Sequence, residues 1–330
     1  MINKDKFKSN VYVKYQNKIQ KSTKKVPKLP KIVAGFAIGI LVFSGIVYAS
    51  TNIRKIFEIR GIDDKGIQTA IENNYIQNID MNYIEKEKVK FKVDYLVMDD
   101  IHFDLVFNFI TQDSVENYEG IAVQGLKITD ENNNQIYIDS EDQQIWSKNI
   151  APMCGSWNIV EKHGNLLRQV IHLSSNSFPK SQKIYVSFNS VILYNVNKGN
   201  PFTIEYKDNY QLEFDISDQL INRKTIEYQS QNNIVRNVKL TNTGLALTIK
   251  SDYYITNDEN YKIIDESGNV YNLSEVIHVI DSEKMDYKYD EYTLIFSFTM
   301  YDQCNNLKLE CPDGSMIEML QWGRRKQIKN

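Results

Sequence analysis

Lys88–Thr111 reads KVKFKVDYLVMDDIHFDLVFNFIT, and its apolar residues recur at every second position. Val89, Phe91, Val93, Tyr95 and Val97 alternate with charged or polar neighbours. After Met98-Asp99-Asp100 the alternation resumes in Ile101, Phe103, Leu105, Phe107 and Phe109. Successive side chains of a strand point to opposite faces, so a period of two is a strand pattern. Two such runs joined by a short acidic turn predict an antiparallel hairpin with one buried face.

The pattern continues downstream. Strands are expected at 121–128, 135–138, 166–173, 183–194 and 210–216. A second set is expected at 234–240, 244–249, 261–264, 270–273, 292–300, 307–311 and 316–320. Their connections are rich in Asn, Asp, Ser and Gly, the residues turns favour. Many short strands at close spacing, without helices alternating between them, predict sandwiches rather than a parallel α/β sheet. Upstream, Asp63 or Asp64 can cap a helix in which Ile67, Ala70, Ile71 and Tyr75 recur at helical spacing, so one short helix is expected near residues 64–75.

Further upstream the composition changes. Ile32–Ala49, IVAGFAIGILVFSGIVYA, has no charge, proline or amide. As a helix its eighteen residues span about 27 Å, close to the hydrocarbon thickness of a bilayer. Val47-Tyr48-Ala49 before Ser50 also fits a signal-peptide cleavage pattern. The anchor is favoured because the leader is 31 residues long and the apolar run exceeds a signal core. Gly35-Phe36-Ala37-Ile38-Gly39 could let two helices approach closely, although glycine is common in single spans anyway.

Of 39 basic and 42 acidic side chains, ten lysines and only one acid, Asp5, fall in residues 1–31, a local net of +9. The remaining 29 bases and 41 acids leave residues 50–330 at −12. A basic head on an acidic body argues against a nucleic-acid partner, whose binding needs positive charge over a folded surface. Only Arg54, Lys55, Arg60 and Lys65 are basic in the twenty residues after the span, so the lysine imbalance predicts a cytosolic N-terminus and external residues 50–330. The expected organisation is a basic cytosolic tail (1–31), a transmembrane helix (32–49) and two extracellular domains (50–220 and 221–330). The fold class is mainly β, with both domains β-sandwich-like (Ig-like). The domain boundary is placed in the polar, weakly patterned segment INRKTIEYQSQNN.

Arg54–Ile138 resembles a Firmicute family of membrane-anchored ectodomains that has a domain name and no assigned activity. The resemblance rests on a one-span anchor followed by DKGIQTAIENNYIQNID and then the charged hairpin. Ile226–Met319 is similar to the β-rich domain often found behind it. Members are described as anti-sigma-factor-like, since many sit beside extracytoplasmic-function sigma factors. The resemblance implies a sensing or regulatory role at the cell envelope, with a sigma factor or other cytosolic regulator reached through the tail. This chain departs from zinc-containing anti-sigma domains: its tail has no histidine or cysteine, and the first histidine is His102. A structural or adhesive module binding an envelope polymer or protein is the alternative.

No catalytic, cofactor-binding or metal residues are assigned from the sequence, no cofactor is expected, and an enzyme is not expected. Cys154, Cys304 and Cys311 are too few for a disulfide framework and too scattered for a zinc site. Cys304 and Cys311 could bridge, with an unbridged pair favoured. Cys154 and His163 lack any surrounding nucleophile motif. His102, His163, His172 and His278 read as isolated from each other and from carboxylate clusters. Asp99 and Asp100 read as turn residues. Asp130, Asn132, Asn134 and Glu141 fit four positions of a calcium loop, but Gln135 replaces the glycine of its sharp turn. A polar β-turn explains the same residues.

Overall fold

The structure, a computed structural model, describes residues 64–139, 153–195, 204–229, 234–257, 259–279, 290–304 and 306–321. The tail, the apolar run, its alternative cleavage after Ala49, and Glu141 lie outside the described residues. Among those described, no helix is long and apolar enough to cross a membrane. All described elements belong to the unit Ser50–Asn330.

That unit is mainly β, and among the described residues every strand pairing is antiparallel. Its first described element is the helix α1 (Lys65–Glu72). Of the two candidate caps it is Asp64 that serves, its carboxylate accepting from the Gly66 and Ile67 amides. Ile67, Ala70 and Ile71 face inward as their spacing predicts. Eleven strands follow among the described residues: β1 (Gln77–Asn78), β2 (Ile84–Glu85), β3 (Val89–Met98), β4 (His102–Thr111), β5 (Gly120–Gln124), β6 (Lys127–Asp130), β7 (Gln135–Ile138), β8 (Met153–His163), β9 (Leu166–Ser175), β10 (Lys183–Tyr194) and β11 (Ile204–Asp215). The short helix α2 (Asp218–Ile221) then leads to β12 (Ile226–Gln229), β13 (Val235–Leu240), β14 (Leu245–Ser251), β15 (Lys262–Asp265), β16 (Val270–Val279), β17 (Asp290–Phe296), β18 (Asn306–Glu310) and β19 (Met316–Gln321).

The first half forms two sheets. One has the order β1-β3-β4-β9-β8 with β2 beside β3, and the other β11-β10-β6-β7 with β5 beside β10. An aromatic cluster joins them. Phe91 of β3 lies edge-on to Phe188 of β10 at 5.0 Å, and Phe188 stacks on Tyr210 of β11 at 4.6 Å. The second half is one run of eight strands, β12-β13-β14-β17-β16-β15-β18-β19. Its core gathers Val238, Leu247 and Phe296 from one end of that order with Ile263, Leu309 and Ile317 from the other.

The two halves repeat one strand order. The pairing β3-β4-β9-β8 recurs as β13-β14-β17-β16, and β7-β6-β10-β11 recurs as β16-β15-β18-β19. The single long strand β16 therefore does the work of both β7 and β8. Val270–Asn272 pairs with β15, and Leu273–Val279 pairs with β17. The repeat reaches the side chains of one turn. KITDENNNQ (127–135) and KIIDESGNV (262–270) share Lys, Ile, Asp, Glu and Asn at matching positions. In each, one Asp oxygen accepts two turn amides while the other accepts the Asn side-chain amide. The fourth turn residue, Asn133 or Gly268, takes the left-handed conformation in both. The glutamate next to the Asp then caps the neighbouring strand: Glu131 accepts from Gln182 and Lys183, and Glu266 from Asn306.

Several expectations are corrected. The hairpin of β3 and β4 forms as read, but β4 is buried on both faces rather than one. It lies between β3 and β9, and its polar face is covered too. Asp94 and Asn108 lie under Lys92 and Arg168, whereas His102 and Asp104 lie under the second half. The run 121–128 is split into β5 and β6 at Gly125, whose φ of +67° breaks the extended backbone. The strands β8 and β12 were not anticipated, because MCGSWNIVEKH and IEYQ lack clean alternation. The segment read as a weakly patterned connection contains the end of α2, β12 and a fully buried Arg223 side chain.

Candidate functional site

The polar face of β4 and β9 is the starting point. Cross-strand register places His102 opposite Ser174 and Asp104 opposite His172. Residues two apart on a strand share a face, so His102, Asp104, His172 and Ser174 form one block of four. The strand β16 packs against β8 and β9. A register shift between Leu273 and Glu275 interrupts its pairing with β17 just where Glu275 reaches the block.

His172 is held at both ring nitrogens. Nδ1 lies 2.5 Å from Asp104 Oδ1, and Nε2 lies 2.6 Å from Glu275 Oε1. Ser174 Oγ is 3.3 Å from the same Nε2. Burial by itself disfavours the imidazolium, but the carboxylates of Asp104 and Glu275 outweigh it and raise the His172 pKa well above the usual histidine range. Burial likewise opposes ionisation of Glu275. The hydrogen bond and charge of His172 overcome it and bring that pKa down to about 2.

His102 sits beside His172, ring centroids 5.4 Å apart. Its tautomer follows from its neighbours. The Thr243 hydroxyl donates its one proton to Asp99 Oδ2 at 2.6 Å, so it must accept from His102 Nδ1, 2.7 Å away. In the neutral ring Nε2 then carries a bare lone pair, and that atom is buried without a hydrogen-bond partner. Asp104 Oδ2 and Glu275 Oε2 are also buried and unpartnered. Gly244 lets the backbone pack closely beside the ring: a Cβ there would come within 3.0 Å of both the Phe296 carbonyl oxygen and Ile101 Cδ1, with His102 Cε1 at an ordinary 3.5 Å.

Two further contacts extend this seam between the halves. Asp99 caps its own turn through the Ile101 and His102 amides and reaches across to the amide and hydroxyl of Thr243. Asp100 receives Arg223 Nε and the Thr225 hydroxyl, each at 2.6 Å. Arg223 Nη2 also donates to the carbonyls of Phe178 and Pro179. Burial would raise the Asp100 pKa, but the Thr225 and Arg223 hydrogen bonds hold it below the ordinary carboxylate range. The seam has a small apolar centre of Ile101, Ala246, Ile277 and Ile295.

His102 and His172 are not isolated, as read, but neighbours in one acidic cluster. Asp99 and Asp100 are turn residues that also bind the second half. His163 is exposed, 3.6 Å from Glu116. Cys154 and His163 lie at opposite ends of β8, about 30 Å apart along an extended strand, so they form no pair. His278 stacks on Tyr292 at 4.7 Å. Cys304 and Cys311 are free thiols, and burial pushes that of Cys304 up to about 12. The Asp130 carboxylate is occupied by the donors of its own turn.

No protein-family model matches this chain, and no curated protein matches it. Among solved structures it is similar to "The crystal structure of the conserved domain protein from Bacillus anthracis". Identity is 11%, with a TM-score of 0.48 over 77% of this chain and 82% of that one.

Proposed function

We propose that this chain is a membrane-anchored sensing or regulatory protein of the cell envelope, with sigma-factor control as its cytosolic output. In this reading Ile32–Ala49 crosses the membrane, Met1–Lys31 is the cytosolic tail, and residues 50–330 lie outside. The outer segment comprises two β-sandwich-like (Ig-like) domains, 50–220 and 221–330, as in the Firmicute ectodomain family that the sequence resembles. The ectodomain binds rather than transforms its ligand.

The observation that carries the reading is the seam. The halves meet through a small apolar centre ringed by hydrogen-bonded charged groups, while their main hydrophobic clusters stay separate. Interfaces built on charged groups change arrangement when one partner is neutralised or a ligand takes its place. An ectodomain of two repeated halves joined in this way has a bistable element on which an external condition can act.

The output is tested in the tail. In this reading the tail, residues 1–31, acts by ordering on a partner. Its candidate apolar contacts are Val11, Val13, Tyr15 and Ile19. Replacing Val11, Val13 and Tyr15 by serine keeps every lysine and therefore keeps insertion and orientation. Transcription from promoters of a neighbouring sigma factor should change while surface display stays constant. Wild-type transcription in that variant, together with envelope defects on loss of the ectodomain alone, would favour a structural module that binds an envelope polymer or protein.

A further inference from the structure

The three unpartnered atoms at the seam ask for an occupant. Leaving a buried donor or acceptor unpaired costs about 1–3 kcal/mol, more when the group is charged. Here one imidazole nitrogen, His102 Nε2, and two carboxylate oxygens, Asp104 Oδ2 and Glu275 Oε2, are buried without partners. We propose that His102, His172 and Glu275 bind one divalent transition-metal ion of the zinc type. The proposal goes beyond the regulatory reading and does not depend on it.

Geometry comes first. The ligand atoms of the three residues all lie within 4.8 Å of one another. A tetrahedral zinc ion with bonds of about 2.0–2.2 Å holds its ligands roughly 3.3–3.6 Å apart, so a contraction of about an ångström completes the site. His172 Nε2 and Glu275 Oε1 are already 2.6 Å apart, so the contraction is the approach of His102 to that pair, while the pair itself opens to admit the ion. Ser174 Oγ, 3.3 Å from His172 Nε2, lies beside the remaining coordination position.

The donor set selects the ion. Two imidazole nitrogens and one carboxylate suit zinc and its borderline neighbours, whereas calcium and magnesium take oxygen-rich shells. The supporting groups have the form that metal histidines require. His172 Nδ1 is fixed by Asp104 and His102 Nδ1 by Thr243, which Asp99 orients in turn. Each ring is thus held at Nδ1 and left with Nε2 to offer an ion, and for His172 the support is the carboxylate–histidine arrangement of metal sites. The proton now between His172 Nε2 and Glu275 occupies the metal's place. Binding releases it to solvent as the ion bonds to Nε2.

The ligands come from both halves: His102 and His172 from β4 and β9, Glu275 from β16. The ion would clasp the halves, and a purely structural ion-pair cluster is the rival. The full 330-residue chain, purified in mild detergent and stripped with chelator, is titrated with Zn2+ by calorimetry and with Co2+ by visible absorption. One ion per chain should bind, Co2+ should give tetrahedral d–d bands, and Zn2+ should raise the melting temperature. Glu275→Gln and His102→Gln should each weaken binding at least 100-fold and abolish the thermal shift. His163→Ala, at an exposed position, should bind as wild type does. Absence of saturable binding to the wild-type chain overturns the proposal, as does undiminished binding in both ligand variants. X-ray absorption of zinc-loaded wild type decides without any variant. Two imidazoles with oxygen donors support the site, and sulfur donors, which would put the ion on the cysteines, refute it.

Discussion

Arg223→Met should destabilise the chain by about 3–5 kcal/mol, the range for removing one partner of a buried ion pair. The guanidinium side chain is fully buried and the Asp100 side chain is 15% exposed, with the pair at 2.6 Å. Methionine fills much of the space but leaves the Asp100 carboxylate with only Thr225, and leaves the Phe178 and Pro179 carbonyls without their donor. Chemical unfolding should show the loss as a fall in midpoint at unchanged slope. The pH dependence has a definite sign. The folded-state pKa of Asp100 is depressed, so its contribution is present above the ordinary carboxylate pKa and is lost as pH falls through the lower folded value. Acid unfolding of the wild type should be steeper below about pH 4 than that of Arg223→Met, where Thr225 alone of the two hydrogen-bond donors remains and the depression is smaller.

Phe107→Asp should be worse still. Phe107 is 1% exposed on the central strand of its sheet and stacks on Phe109 at 5.7 Å. Aspartate there removes an aromatic side chain, about 3–5 kcal/mol for such truncations, and adds an unpaired carboxyl to an apolar site. Lys90→Asp should cost under about 0.5 kcal/mol beyond its exposed pairing with Glu85. Equal losses from the two would mean that β3 and β4 have their faces exchanged.

The β3–β4 hairpin was legible because its partners are neighbours in sequence and its alternation is clean. The helix α1 was legible because a capping aspartate precedes an apolar face at helical spacing. The candidate site was hidden for a reason of distance. His102 and Asp104 occupy polar positions of one apolar run, and His172 and Ser174 those of another, but only the β4–β9 register makes them one block. Glu275 comes from 103 residues beyond His172, on a strand whose length the alternation from 270 to 273 understated. The repeated D-E-x-x-N turn was visible in the sequence. What concealed the wider repeat is that β16 fuses two strands that the first half keeps apart. Arg223 escaped notice because a polar segment reads as a connection until its carbonyl and carboxylate partners are known.

The central claim is that the two halves are held together through buried polar contacts at the turn between β3 and β4. The most direct measurement is a double-mutant cycle on Asp99 and Thr243, residues 144 apart in sequence and both fully buried, using urea unfolding of the full chain. Asp99→Asn, Thr243→Val and the double variant are compared with wild type. The account predicts a coupling of about 1.5–3 kcal/mol, the range for hydrogen bonds to a charged group. Losses that add to within about 0.5 kcal/mol, as for sites without contact, would contradict it.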